Sequence, residues 1–107
     1  MLRVRAGTDA HRFTGIWHVV VRGRVFVRPW FDKPSGWHRV FLREPRGVID
    51  VSGREIAVRA RNARGERLWD AVDLAYAEKY ATASSRKYVR GFSTARRRTT
   101  TTELLPR

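Results

Sequence analysis

The sequence contains no cysteine and a single methionine among its 107 residues. The lack of cysteine excludes a disulfide scaffold, a thiolate zinc site, an iron–sulfur centre and a cysteine nucleophile. The three histidines, His11, His18 and His38, do not have the spacing of metal ligands. We therefore predict no metal site.

Long apolar runs are absent as well. The longest hydrophobic stretch, Ile16 to Val21, is interrupted by His18, and it is too short for a membrane-spanning helix or the core of a signal peptide. We expect a cytoplasmic protein that does not enter a membrane.

Acidic residues are scarce. The sequence has 10 Asp and Glu residues and 23 Lys and Arg residues, which gives a net charge of +13. Only Lys33, Lys79 and Lys87 are lysines, so the positive charge is carried mainly by arginine. Such a charge predicts attraction to polyanions such as nucleic acid, anionic lipid or a phosphorylated cofactor.

The length fits one domain, residues 1–107, and alternating apolar residues predict several strands within it. Arg22-Gly23-Arg24 separates two β-branched runs, and Ser52-Gly53 separates residues 47–51 from residues 54–60. Both patterns are typical of glycine-turn hairpins. Residues 2–6 are predicted as an edge strand and the threonine-rich segment before Pro106 as a final strand.

Two segments have helical periodicity. Trp37, Val40 and Phe41 share one face of a short helix that Pro45 ends, and residues 66–80 form a longer amphipathic pattern. Residues 81–98 are assigned only as a loop with a helical turn. This order predicts an α+β, mainly β fold with about six mostly antiparallel strands and two helices.

These segments resemble an uncharacterised bacterial family, the domain of unknown function DUF2255, over nearly the whole chain. The residues that carry the resemblance are Ile16-Trp17, Arg24 to Arg28, Gly36 to Arg39, Gly47 to Val58, Asp70 to Tyr80 and Thr102 to Pro106. The chain is more distantly similar to the deazaflavin-dependent nitroreductases. The resemblance implies a small split β-barrel that binds FMN or a deazaflavin and acts as an oxidoreductase on a small molecule.

The same resemblance implies where a cofactor would bind. It points to the segment between the strand that ends at Arg28 and the helix that starts at Trp37, with the cofactor-binding residues Arg28, Trp30, Lys33, Ser35, Trp37 and Arg39. Loop amides, Arg28, Lys33 and the start of the helix are groups that attract a phosphate. The alternative is a solvated connection in which Trp30 and Trp37 pack on the barrel.

Two further pairs lie on the longer helix. Tyr76 and Tyr80, one turn apart, are candidates for a substrate pocket, with core packing as the alternative. Asp70 and Asp73, at i and i+3, could share a proton if buried, with pairing to nearby arginines as the alternative. No catalytic residue is predicted, and whether the protein is an enzyme stays open.

A second function class follows from the charge alone. A non-catalytic basic module would bind nucleic acid or another polyanion through an arginine track, here Arg54, Arg59, Arg61, Arg64, Arg67, Arg86, Lys87, Arg90 and Arg96 to Arg98. The sequence lacks a recognised nucleic-acid-binding motif, so only non-specific binding is expected. A second copy of the chain and a phosphorylated cofactor are the other expected partners.

Overall fold

The computed structural model describes residues 2–8, 13–31 and 35–107. Within them the chain forms seven strands and four α-helices. The order is β1 Leu2–Ala6, β2 Thr14–Ile16, β3 His18–Val21, β4 Arg24–Val27, α1 Trp37–Arg43, β5 Arg46–Val51, β6 Arg54–Asn62, α2 Glu66–Lys79, α3 Arg86–Phe92, α4 Ala95–Arg98 and β7 Thr102–Pro106. A 3-10 turn at Ala83–Ser85 precedes α3.

The strands form one antiparallel sheet in the order β2-β1-β5-β6-β7-β4-β3. Its two edge strands, β2 and β3, follow each other in the chain with only Trp17 between them. The edges are therefore joined through the backbone, and the sheet is a nearly closed barrel. The predicted α+β, mainly β barrel is confirmed.

Both predicted hairpin turns are confirmed by their backbone geometry. Arg22 and Gly23 have φ of 52° and 74°, and Ser52 and Gly53 have φ of 52° and 85°. Two consecutive residues with positive φ match the right-handed twist of the flanking strands. These turns fix the pairing of Val21 with Arg24 and of Val51 with Arg54.

The predicted counts of six strands and two helices are too low. The apolar run up to Val21 is two strands, because Trp17 leaves the strand geometry and the chain passes from one sheet edge to the other. The segment predicted as a loop contains α3 and α4. α3 has basic residues at three of its seven positions and a glycine near its end, and α4 is a single turn of four residues, so neither shows a clear helical period in the sequence.

The apolar residues form two clusters, one on each face of the sheet. The barrel interior holds Leu2, Val4, Val27, Val58 and Leu104 with their neighbours. The second cluster lies on the outside of β3 and β4. There Val72 and Tyr76 of α2 and Phe92 of α3 cover Val19 and Phe26. Strand alternation explains this arrangement, because Val27 and Phe26 point to opposite faces of β4.

None of the described helices is long and apolar enough to cross a membrane.

Candidate functional site

A cavity of about 640 Å³ lies beside the junction of β2 and β3. Its walls come from β2 and Trp17, from the segment that follows β4, from the start of α1 and from α3. The lining residues are Thr14, Gly15, Ile16, Trp17, Arg28, Trp30, Phe31, Ser35, Gly36, Trp37, Tyr88 and Phe92. This volume is within the range of small-molecule binding sites, roughly 300–1,000 Å³.

Half of these lining residues are aromatic. The ring of Trp30 meets Tyr88 and Phe92 edge to face, with centroids 5.2 and 5.3 Å apart. Trp17 contacts the same two rings, with centroids 5.4 Å from Tyr88 and 6.0 Å from Phe92. Edge-to-face contacts of this kind stabilise the rings against one another, so the cavity has walls suited to a planar apolar ligand.

Trp30 is held in place by α3 and α4. The guanidinium of Arg97 lies 4.0 Å from the centroid of the Trp30 ring, and its Nε and Nη2 both donate to the carbonyl of Trp30. Gly91 lets the ring approach α3, because a Cβ at this position would be 2.4 Å from the Trp30 ring. The position of Trp30 therefore depends on Gly91 and Arg97.

Arg28 also lines the cavity, but its guanidinium is fully buried, with 0% of the side chain exposed. It donates hydrogen bonds to Thr101 Oγ1, Asp73 Oδ1 and the carbonyls of Phe92 and Trp69. Four of its five donors are thus engaged. The expectation that Arg28 meets a cofactor phosphate does not fit this geometry, and the residue instead joins β4 to α2, α3 and the start of β7.

The structure brings together part of the predicted cofactor-binding set. Trp30, Ser35 and Trp37 all line the cavity. Arg39 is exposed on α1 and does not line it. Lys33 lies outside the described residues.

The two candidate substrate-binding tyrosines lie behind the cavity wall and do not line it. Tyr76 is fully buried and its hydroxyl donates to the carbonyl of Trp17, while burial raises its pKa, so the hydroxyl stays protonated. Tyr80 stacks on Trp17 at 4.4 Å and donates to the carbonyl of His18. Both tyrosines position Trp17, which matches the core-packing alternative.

Several lining residues were not predicted from the sequence. Trp17, Phe31, Tyr88 and Phe92 lie in the cavity wall, but only the spacing of Tyr88 and Phe92 at i and i+4 hints that these two share a helix face. The part played by Trp17 depends on the crossing between sheet edges, and local sequence does not show that crossing.

The acidic pair on α2 is bound by arginines. Arg98 forms ion pairs with both Asp70 and Asp73, and Arg28 binds Asp73 from the buried side. These two carboxylates are therefore paired with arginines, which was the alternative to a shared proton. Across the described residues there is also no group of three His, Asp or Glu side chains that could hold a metal ion.

Near the end of α2, Lys79 Nζ lies 3.0 Å from Nε2 of His18. Burial, together with the positive charge of Lys79, lowers the pKa of His18 to about 4. His18 is therefore neutral at physiological pH.

Comparison with known proteins gives a family and a fold. The family model described as an uncharacterised protein conserved in bacteria, DUF2255, matches residues 2–104. The crystal structure of the conserved hypothetical protein Rv2991 from Mycobacterium tuberculosis is similar, with a TM-score of 0.55 and 16% sequence identity. The match covers 96% of this chain and 68% of that chain, and at this identity it shows the fold alone. Among curated proteins, none matches this sequence.

Proposed function

The chain belongs to the DUF2255 family, and we propose that its function is the one that its cavity supports best, the binding of a flavin-type or deazaflavin-type cofactor. The observation that carries this proposal is the cavity of about 640 Å³ with six aromatic side chains in its wall. Planar ring systems are held by apolar and aromatic walls with a few polar groups that fix their orientation. The barrel fold and the distant resemblance to flavin-binding split barrels agree with such a ligand.

The ring-binding part of the cavity fits this group well. Trp17, Trp30 and Trp37 offer large faces and edges, and Gly15 and Gly36 add lining positions without side chains. A ring that enters here would contact aromatic carbon on several sides and leave water. We expect this contact area to supply most of the binding free energy.

The phosphate end needs a different partner. Arg28 is the only cationic side chain among the lining residues that the structure describes, and its donors are engaged within the protein. Lys87 is exposed beside the cavity, with Nζ 5.0 Å from the ring centroid of Tyr88. We assign the cofactor phosphate to this rim, close to Lys87.

Redox chemistry would come from the cofactor itself, which carries hydride when it is bound. The chain's own residues would bind the ring, orient it through Trp30 and exclude water with Tyr88 and Phe92. We accordingly propose an oxidoreductase that acts on a small molecule, with the side chains supplying position and no proton transfer.

Titration of the purified protein with flavin mononucleotide and with deazaflavin mononucleotide tests this proposal. Stacking on tryptophan is expected to quench ligand fluorescence, with saturation at micromolar concentration. Absence of binding to both ligands at tens of micromolar would overturn the proposal.

A variant pair locates the binding. Tyr88→Ala removes a partly exposed ring from the cavity wall, and we expect about tenfold weaker binding, or ~1.4 kcal/mol. Leu74→Ala is the matched control, because Leu74 is exposed on α2 outside the cavity. Equal losses in the two variants would place the ligand elsewhere.

A further inference from the structure

The outer face of β5, β6 and β7 carries a second feature, made of residues that do not line the cavity. Strand alternation directs Val58 and Leu104 into the barrel, so Arg59 and Arg61 of β6 and Glu103 of β7 point outwards. Arg46 of β5 lies directly opposite Arg59. We infer that this face, together with Arg24 of β4, binds the phosphate backbone of a nucleic acid.

Two arginines of this face, Arg24 and Arg61, are fixed by a buried carboxylate. Glu103 is only 4% exposed, and it accepts hydrogen bonds from Arg24 Nε at 3.0 Å and Arg24 Nη2 at 2.8 Å. Arg61 Nη2 donates to the same Oε1 at 2.7 Å. Two guanidinium groups therefore converge on one oxygen atom and are held side by side.

In the cluster of Arg24, Arg61 and Glu103, the negative charge is buried and the two positive charges are exposed. The Glu103 side chain is 5% exposed, against 44% for Arg24 and 60% for Arg61. A second pair of this kind lies towards the other end of the strands, where the exposed Arg3 is bound to the buried Asp50. An approaching anion therefore meets guanidinium groups and little carboxylate.

This arrangement favours phosphate as the ligand. A guanidinium has five N–H donors, and Glu103 occupies two nitrogens of Arg24 and one of Arg61, so both side chains keep donors for phosphate oxygens. Since Glu103 already restricts both side chains, they lose less conformational entropy when they bind. Arg46, opposite Arg59, is already paired with the carboxylate of Glu44, so we expect the phosphate contacts mainly from Arg59 and Arg61.

The composition of the face favours nucleic acid over a membrane surface. Apolar side chains beside the positive charges strengthen membrane binding, because they insert between the lipids. Among the large exposed apolar residues, Leu42 of α1 borders this face, where it lines a small cleft with Arg61. Val51 lies at the end of β5, and Val20, Phe31, Leu74 and Tyr88 lie on β3, after β4, on α2 and on α3. Exposed arginines that outnumber the exposed carboxylates, here Glu55, are suited to sequence-independent contact with phosphates.

Fluorescence anisotropy with a fluorescein-labelled oligothymidylate, over a series of NaCl concentrations, measures the contact. In the Arg59→Gln/Arg61→Gln variant we expect weaker binding and a salt dependence shallower by about 1.4 in log–log slope, the value for two lost contacts to a single strand. Arg86→Gln/Arg90→Gln removes the same charge from α3 and is the matched control. Equal effects in both variants would overturn the proposal, because net charge alone would then explain the binding.

A second pair tests the anchoring role of Glu103. Glu55→Gln and Glu103→Gln each remove one negative charge from this face, but only Glu103 holds Arg24 and Arg61. We expect Glu55→Gln to tighten binding and Glu103→Gln to weaken it several-fold, with folding checked by thermal denaturation. If Glu103→Gln tightens binding as Glu55→Gln does, the anchoring role is wrong. Should Glu103→Gln fail to fold, the Arg59→Gln/Arg61→Gln variant decides.

Two further outcomes would overturn the proposal. One is no binding of the oligothymidylate at low salt. The other is binding to phosphatidylglycerol vesicles without binding to the oligonucleotide. The flavin titration stays unchanged in Arg59→Gln/Arg61→Gln, because neither residue lines the cavity, so failure of this proposal is distinguishable from failure of the cofactor proposal.

Discussion

Arg28 shows how one buried side chain connects separate elements of this fold. Its guanidinium joins Asp73 of α2, the carbonyl at the end of α3 and Thr101 before β7. Arg28→Met would keep the volume but leave these acceptors unpaired, and we expect a loss of about 3–5 kcal/mol in the free energy of unfolding. Urea denaturation followed by circular dichroism measures the loss.

The control for this prediction is Arg54→Met at the exposed β5–β6 turn. It is expected to change stability by no more than about 0.5 kcal/mol. A similarly small change for Arg28→Met would show that the buried contacts contribute little.

His18 gives a prediction for the dependence of stability on pH. Its folded-state pKa of about 4 lies below the value of about 6.5 in the unfolded chain. Between these values the unfolded chain binds more protons, so stability is full above pH ~6.5 and falls as the pH drops towards 4. We expect the urea midpoint of the native protein to fall between neutral pH and pH ~5, and His18→Gln to reduce that fall. Identical pH profiles for both proteins would contradict the lowered pKa.

Residue patterns in the sequence predicted part of the cavity. Trp30, Ser35 and Trp37 were predicted as one group and line one cavity, because they lie close together in the chain between β4 and α1. Tyr76 and Tyr80 share a helix face, as their spacing predicts, but spacing does not show what that face packs against. The engagement of Arg28 could not be predicted, since its partners lie 41 to 73 residues away.

At the scale of elements, local signals succeeded where they were strong. The Gly23 and Gly53 turns fix two hairpins through backbone geometry that nearby residues determine. The break at Trp17 has no such signal, because β-branched residues lie on both sides of it. It depends instead on the closure of the sheet, which brings β2 to β1 and β3 to β4.

The contact between α3 and the segment after β4 gives a prediction at this scale. Alanine is favoured over glycine in a helix by about 1 kcal/mol, but a Cβ at Gly91 would be 2.4 Å from the Trp30 ring. We expect Gly91→Ala to destabilise the protein by about 1–3 kcal/mol and to change its tryptophan fluorescence as Trp30 moves. Thermal unfolding checks the sign, with Glu78→Ala on the exposed face of α2 as the control. Stabilisation by Gly91→Ala would show that Trp30 does not need this approach.

At the scale of the whole molecule, composition predicted the sign of the charge but not its distribution. Arg59 and Arg61, which belong to the predicted arginine track, lie on the outer face of β6, whereas Arg86 and Arg90 lie on α3. Arg24 was not in that track, yet it converges with Arg61 on Glu103. Only the pairing of β7 between β6 and β4 brings these side chains together.

The net charge of +13 gives the last prediction, because it opposes compaction through mutual repulsion. Added salt screens that repulsion, and it also screens surface ion pairs, but exposed pairs contribute only about 0–1 kcal/mol each. The buried pair of Arg28 and Asp73 is screened much less than exposed pairs. We therefore expect the Tm to rise by a few degrees as NaCl is raised from low concentration to about 0.15 M, measured by scanning calorimetry. A Tm that falls over this range would show that surface pairs such as Arg46 with Glu44 outweigh the repulsion among the excess arginines.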